Sequence, residues 1–119
     1  IVQDYSGRMD VAFAVMEKFL KKEKELPDAV IAPNDLGAIG FLAALRKHHI
    51  SVPQQCAVAG FDNIAFGQYT EPPLTTIGYD NGLFSETVWN MMIRRLRNEE
   101  TGPAKRERIL QTLIVRQST

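Results

Sequence analysis

The sequence has one cysteine and two histidines in 119 residues, and neither charge sign is in excess. Each shortage excludes something. A lone Cys56 cannot close an internal disulfide; set against an apolar strand, it reads as a buried thiol of a reducing compartment. His48 and His49 are adjacent, so on a helix their rings point about 100° apart and cannot share a metal as an i, i+4 pair would. They suit a helix C-terminus, where the dipole favours them, and no metal site is expected. Lys plus Arg and Asp plus Glu are 14 each, for a formal charge of +0. Such a balance carries no electrostatic footprint for nucleic acid or an anionic membrane. No apolar run reaches the roughly 18 residues of a spanning helix and no low-complexity tract is present, so neither a membrane span nor targeting by these residues is expected. G-x-G-x-x-G and Gly-Lys-Ser/Thr are both missing, which leaves nucleotide phosphates without a cradle. Ser6, Ser51, Ser85 and Ser118 lack a nucleophile-elbow context, and Cys56 has no histidine near it in sequence. An enzyme is therefore not expected, and no cofactor is implied.

What is present suits one ordinary globular domain, 45% apolar and 24% charged, with a core that buries roughly 65% of the unfolded surface. "IVQDYSG" opens as though entered partway along a strand, with Asp4 to Gly7 as the loop after it, so a fragment is expected. Residues 9–25 space Ala12, Val15, Met16, Phe19 and Leu20 as a helix ending in the solvated "KKEKE". "AVIA" reads as a short strand buried on both faces. Asn34-Asp35 then opens a helix to about His49, and short strands follow at 57–61 and 74–77. Residues 82–98 carry Phe84, Val88, Met91 and Met92 on one helical stripe, and "RERILQTLIVRQ" closes the chain as an extended strand. Alternating strands and helices predict an α/β fold with a mostly parallel sheet and flanking helices.

Ligands in such sheets sit at the carboxyl ends of the strands. Three loops bring polar groups there: Asp4-Tyr5-Ser6, Pro33-Asn34-Asp35 and Asp62-Asn63. A ring offers a flat face to a sugar or base, and carboxylate or amide oxygens accept from hydroxyls or ring nitrogens. The competing reading makes Asp35 and Asp62 helix N-caps for "LGAIGF" and "IAFGQ". Composition and spacing leave both open.

The run "PDAVIAPNDLGAIGFLAALRKHHISVPQQCAVAGFDNIAFGQYTEPPLTTI", with its "PND", "VP", "GFDN" and "PPLTTI", resembles the effector-binding core of the LacI/GalR family of bacterial transcription regulators. The ending "LIVRQST" resembles that family's closing strand. The resemblance runs from about Asp4 to Thr119. It implies a periplasmic-binding-protein-like (type I) subdomain fragment, with residues 1–77 as second-subdomain core. Residues 78–101 would be a crossover helix that packs on a first subdomain outside the chain, and 102–119 a closing strand. The helix-turn-helix that reads operator DNA would also lie outside it. By resemblance, Asp62 and Asn34 contact the effector, Tyr5 stacks on it and Asn81 borders the pocket. The implied function is sensing of a sugar or similar small molecule by a cytoplasmic, homodimeric regulator that does not bind membranes; the alternative is a periplasmic or receptor-coupled sugar-binding protein.

One pattern adds a partner. Ala38, Phe41, Leu42 and Leu45 give the 35–49 helix one apolar stripe, and Leu36, Ile39, Gly40 and Ala43 a second. One stripe covers a sheet; the second needs another subdomain or subunit. Relatives dimerise through this helix and the segment after "GFDN", which implies a contact containing Ile39, Phe66 and Tyr69. The alternative is that these side chains cover the chain's own core.

Overall fold

The computed structural model describes residues 7–23 and 25–119, so the expected opening strand and Tyr5 lie outside the described residues. The elements in chain order are α1 (Met9–Lys22), β1 (Ala29–Ile31), α2 (Asp35–Lys47), β2 (Ala57–Phe61), a 3-10 turn (Ala65–Tyr69), β3 (Thr75–Gly78), α3 (Asn81–Leu96) and β4 (Thr112–Ile114). The chain divides into two compact units: residues to Gly78 together with Leu113–Thr119, and Tyr79–Thr112.

In the first unit the sheet runs β1-β2-β3-β4, with β1 parallel to β2 and β2 parallel to β3. The expected α/β fold with a mostly parallel sheet is what forms. The core gathers where α1 and α2 cover the sheet, around Met16, Phe41, Leu42, Leu45, Val58 and Leu74. Leu45 and Leu74 are each 0% exposed, and full burial of a leucine contributes about 1.5–3 kcal/mol. Cys56 is free and buried in this core, and burial raises its thiol pKa, so it packs as a small apolar residue.

Helix α1 lies on α2 because Gly40 has no side chain: a Cβ there would collide with the Met9 carbonyl and come within 2.9 Å of Ala12 Cβ. That contact corrects the two-stripe reading of α2, because Gly40 of the second stripe is covered by α1 of the same chain. At the far end of the helix pair, Glu17 accepts from Lys47 Nζ at 2.8 Å and lies 2.6 Å from His48 Nε2. The histidine at the end of α2 thus has a carboxylate partner as well as the dipole.

Prolines shape the sheet's other side. Pro72 and Pro73 precede β3 and have no N–H to give to a strand ladder. Ser118 fills the missing rung: its carbonyl accepts from Val58 N at 2.8 Å, its Oγ donates to the Val58 carbonyl at 2.6 Å, and Thr75 N donates to that Oγ at 2.8 Å. The "PPLTTI" and "RQST" stretches are thereby two halves of one structure.

Two expectations need correction. β1 is not buried on both faces; Ile31 is 78% exposed, because among the described residues the helices cover only the face on which Val30 lies. The closing strand is regular only over Thr112–Ile114, and residues 103–111 form no helix or strand. In the second unit, α3 forms as expected, capped by Asp80 accepting from Leu83 N at 2.9 Å. Its apolar stripe has no buried residue.

Candidate functional site

β1 and β2 end on the same edge of the sheet. Extending the register that pairs Ile31 with Ala59 along both chains puts Asn34 level with Asp62. The two loops expected to carry polar groups are therefore neighbours, and small residues let them approach. Gly60 is required: a Cβ there would strike Asp35 Oδ1 and sit 3.2 Å from Ala38 Cβ.

Asn34 is the N-cap of α2, its Oδ1 accepting from Gly37 N at 2.8 Å while its Nδ2 donates to the Gly7 carbonyl at 3.0 Å. It ties the loop before α1 to the start of α2. Asp35 is not the cap, which corrects the capping reading. It is 0% exposed and accepts from Thr76 Oγ1 at 2.6 Å and from Ile64 N at 2.8 Å. The neighbouring asparagine has taken the capping geometry, so the aspartate points into the protein and binds the turn after β2 to β3.

That turn carries Asp62. Its φ is 111°, followed by 53° at Asn63, two consecutive residues in the region that favours glycine. Backbone strain of this kind persists only where several contacts fix it, and here each amide has a partner. Asp62 N donates to the Ile77 carbonyl at 2.8 Å, Asn63 N to Thr76 Oγ1 at 3.3 Å, and Ile64 N to Asp35. Gly78 leaves room for Asn63, whose Cβ a side chain there would strike. The Asp62 carboxylate accepts no hydrogen bond among the described residues, and the residue is exposed. Asp62 is therefore no cap either: the 3-10 turn begins after Ile64 and has no side-chain cap. Partial desolvation of the carboxyl, and secondly the negative Asp35, raise its pKa.

The remaining candidates are dispersed. Asn81 is the exposed first residue of α3, in the second unit. Ile39 is half-buried and packs against the core, whereas Phe66 and Tyr69 on the 3-10 turn are 74% and 80% exposed. A depression of about 600 Å³ along α1 at Phe13, Glu17 and Lys21 contains neither Asn34 nor Asp62. Among the described residues no group of three His, Cys, Asp or Glu could hold a metal, and no helix is long and apolar enough to cross a membrane. Sequence reasoning missed the supporting roles of Asp35 and Thr76. The available signal was Gly60, since a glycine inside a strand marks a close approach by another group.

The periplasmic binding protein-like domain family matches residues 3–119. Over 91 residues the chain is 34% identical to the HTH-type transcriptional repressor PurR of Vibrio parahaemolyticus, covering 76% of this chain and 27% of the relative. Among solved structures it resembles the LacI-family transcriptional regulator from Arthrobacter sp. FB24 in complex with lactose, at 30% identity and TM-score 0.86, covering 95% of this chain and 42% of that one. A LacI-type transcription regulator from Bifidobacterium animalis subsp. lactis gives 30% identity and TM-score 0.86, over 93% and 39% of the two chains. The chain spans about a quarter to a third of the length of the curated relatives it matches, 27% and 32% in two cases.

Proposed function

Because the chain belongs to the periplasmic binding protein-like domain family, we propose that it is the second-subdomain part of the effector-sensing domain of a LacI-type transcription regulator. The observation that carries this reading is Asp62, an exposed carboxylate without a protein partner on a turn fixed by three amide hydrogen bonds at the carboxyl edge of the sheet. A preorganised acceptor of this kind suits the hydroxyls of a sugar or similar small polar molecule. The Arthrobacter regulator's lactose complex supports that ligand class.

In this reading Asp62 accepts from the ligand. Asn34, with both ends of its amide bonded within the protein, shapes the wall beside it. Tyr5 would stack on the ligand and Asn81 would border the pocket. Residues 1–77 serve as second-subdomain core, 78–101 as a crossover and 102–119 as the closing segment. The exposed apolar side chains of α3, Trp89 and Leu96 among them, suit cover by a first subdomain. Ile39, Phe66 and Tyr69 form the homodimer contact. Operator DNA would be read through a helix-turn-helix outside these residues, in the cytoplasm, with no catalytic step. The relatives' names as repressors favour a regulator over a transport protein.

The test is calorimetry on the full-length protein with lactose, glucose and sucrose. Asp62→Ala removes charge-assisted hydrogen bonds worth about 1.5–3 kcal/mol each, so affinity for the sugar bound by wild type should fall at least ~10-fold with the melting temperature kept. Unchanged affinity would remove Asp62 from the site.

A further inference from the structure

Arg116, from the closing segment, reaches the turn that carries Asp62 although 53 residues separate it from Asn63. Its Nη2 donates to Asn63 Oδ1 at 3.1 Å, its Nη1 to the Leu74 carbonyl at 2.6 Å, and its backbone N to Thr75 Oγ1 at 2.8 Å. The second and third bonds moor the arginine to the start of β3. The first is directed at a residue with φ 53° that directly follows one at φ 111°.

Asparagine tolerates the left-handed region better than other side chains, but Asp62 at φ 111° is in a region where non-glycine residues persist only under constraint. The weakest of the three amide bonds that hold the turn is the one at Asn63, 3.3 Å to Thr76 Oγ1. Arg116 acts at that residue through its side chain, while the missing side chain of Gly78 makes room on the other side. A planar guanidinium moored at one nitrogen and donating from another fixes a direction as well as a distance, which a flexible ammonium does not.

We propose that Arg116 is a positioning residue, which holds Asn63 and thereby keeps Asp62 in the left-handed turn that presents its carboxylate. The ligand-binding consequence rests on the functional reading of Asp62 above; the conformational one does not.

Amide hydrogen exchange of the full-length protein tests it without any ligand. Arg116→Gln should lower protection of the Asp62 and Ile64 amides about tenfold relative to Ala32, whose amide donates to the Ala59 carbonyl on the other side of β2. In an Asn63→Gly background, where the side-chain acceptor is gone and positive φ costs nothing, Arg116→Gln should add no further loss at the turn. The proposal is overturned if protection falls equally at the turn and at Ala32, if it does not fall, or if Arg116→Gln costs as much in the Asn63→Gly background. With glucose, lactose and sucrose as probes, the sugar that wild type binds should lose affinity in Arg116→Gln by a smaller factor than in Asp62→Ala. A turn-specific loss of protection with unchanged affinity in Asp62→Ala would support the positioning role and sink the Asp62 reading instead.

Discussion

Replacing Asp35 with alanine should be among the most damaging single changes in the first unit, although Asp35 is given no contact with ligand. The carboxylate is 0% exposed and is the acceptor for two donors, the Thr76 hydroxyl at 2.6 Å and the Ile64 amide at 2.8 Å. Each donor stranded by the substitution costs about 1–3 kcal/mol, and the first turn of α2 loses an acidic residue worth about 0.3–1 kcal/mol against the helix dipole. The total, roughly 2–7 kcal/mol, is a large share of the 5–15 kcal/mol that typically separates folded from unfolded domains. Urea unfolding of the full-length protein, followed by a probe in the first unit, should show the midpoint falling by about 1–3 M. The shared hydrogen bond between Thr76 and Asp35 also fixes a coupling. Thr76→Val removes the donor that Asp35→Ala would strand, so the double variant should cost less than the sum of the two single ones. A loss below about 1 kcal/mol for Asp35→Ala, or strict additivity with Thr76→Val, would refute the view that this buried acid binds the β2 turn to β3.

Two further outcomes follow from the same geometry. Burial first, and Asp35 second, raise the Asp62 pKa, so between the ordinary carboxylate range and that raised value the native state holds more protons than the unfolded one, and stability falls as pH rises through the window. Asp62→Asn should therefore match wild type in acid and gain on it as pH climbs through that window in a series of thermal melts; a gain independent of pH would contradict the assignment. For the proposed dimer contact, Phe66→Asp with Tyr69→Asp is the better test, because these rings are 74% and 80% exposed whereas Ile39 packs partly on its own core. Apolar contact contributes roughly 25 cal/mol per Å², so sedimentation at micromolar concentration should show a folded monomer, and a persisting dimer would place the interface elsewhere.

The fold was legible because its signals are local. Short apolar runs between capped helical patterns identify the strands, and their alternation with helices identifies the parallel sheet. What was not legible depends on which neighbour is present. "AVIA" has the composition of a strand buried on both faces, yet Ile31 is exposed because among the described residues the helices cover only the Val30 face. The stripe on α3 was read correctly as apolar, but nothing in a periodicity says what will cover it. In the candidate site, Asn34-Asp35 offered two residues able to cap α2, and either would satisfy Gly37 N; a strand glycine at position 60 is the only local hint that the aspartate turns inward. Arg116 was invisible for a plainer reason, since its partners Asn63 and Leu74 are far away in the chain.

The rung supplied by Ser118 imposes an order of events during synthesis. Residues up to Gly78 and from Leu113 onward belong to one unit, with Tyr79–Thr112 made in between. At ribosomal rates of about 5–20 residues per second, β2 and β3, which pair directly further along, wait some seconds for the serine that bridges Val58 to Thr75. Throughout that interval the Val58 amide and carbonyl and the Thr75 amide lack their native partner, and the nascent sheet is open at the edge where another strand could add. A chain truncated within residues 79–112 would remain in that state, with Val58 and Thr75 unbridged.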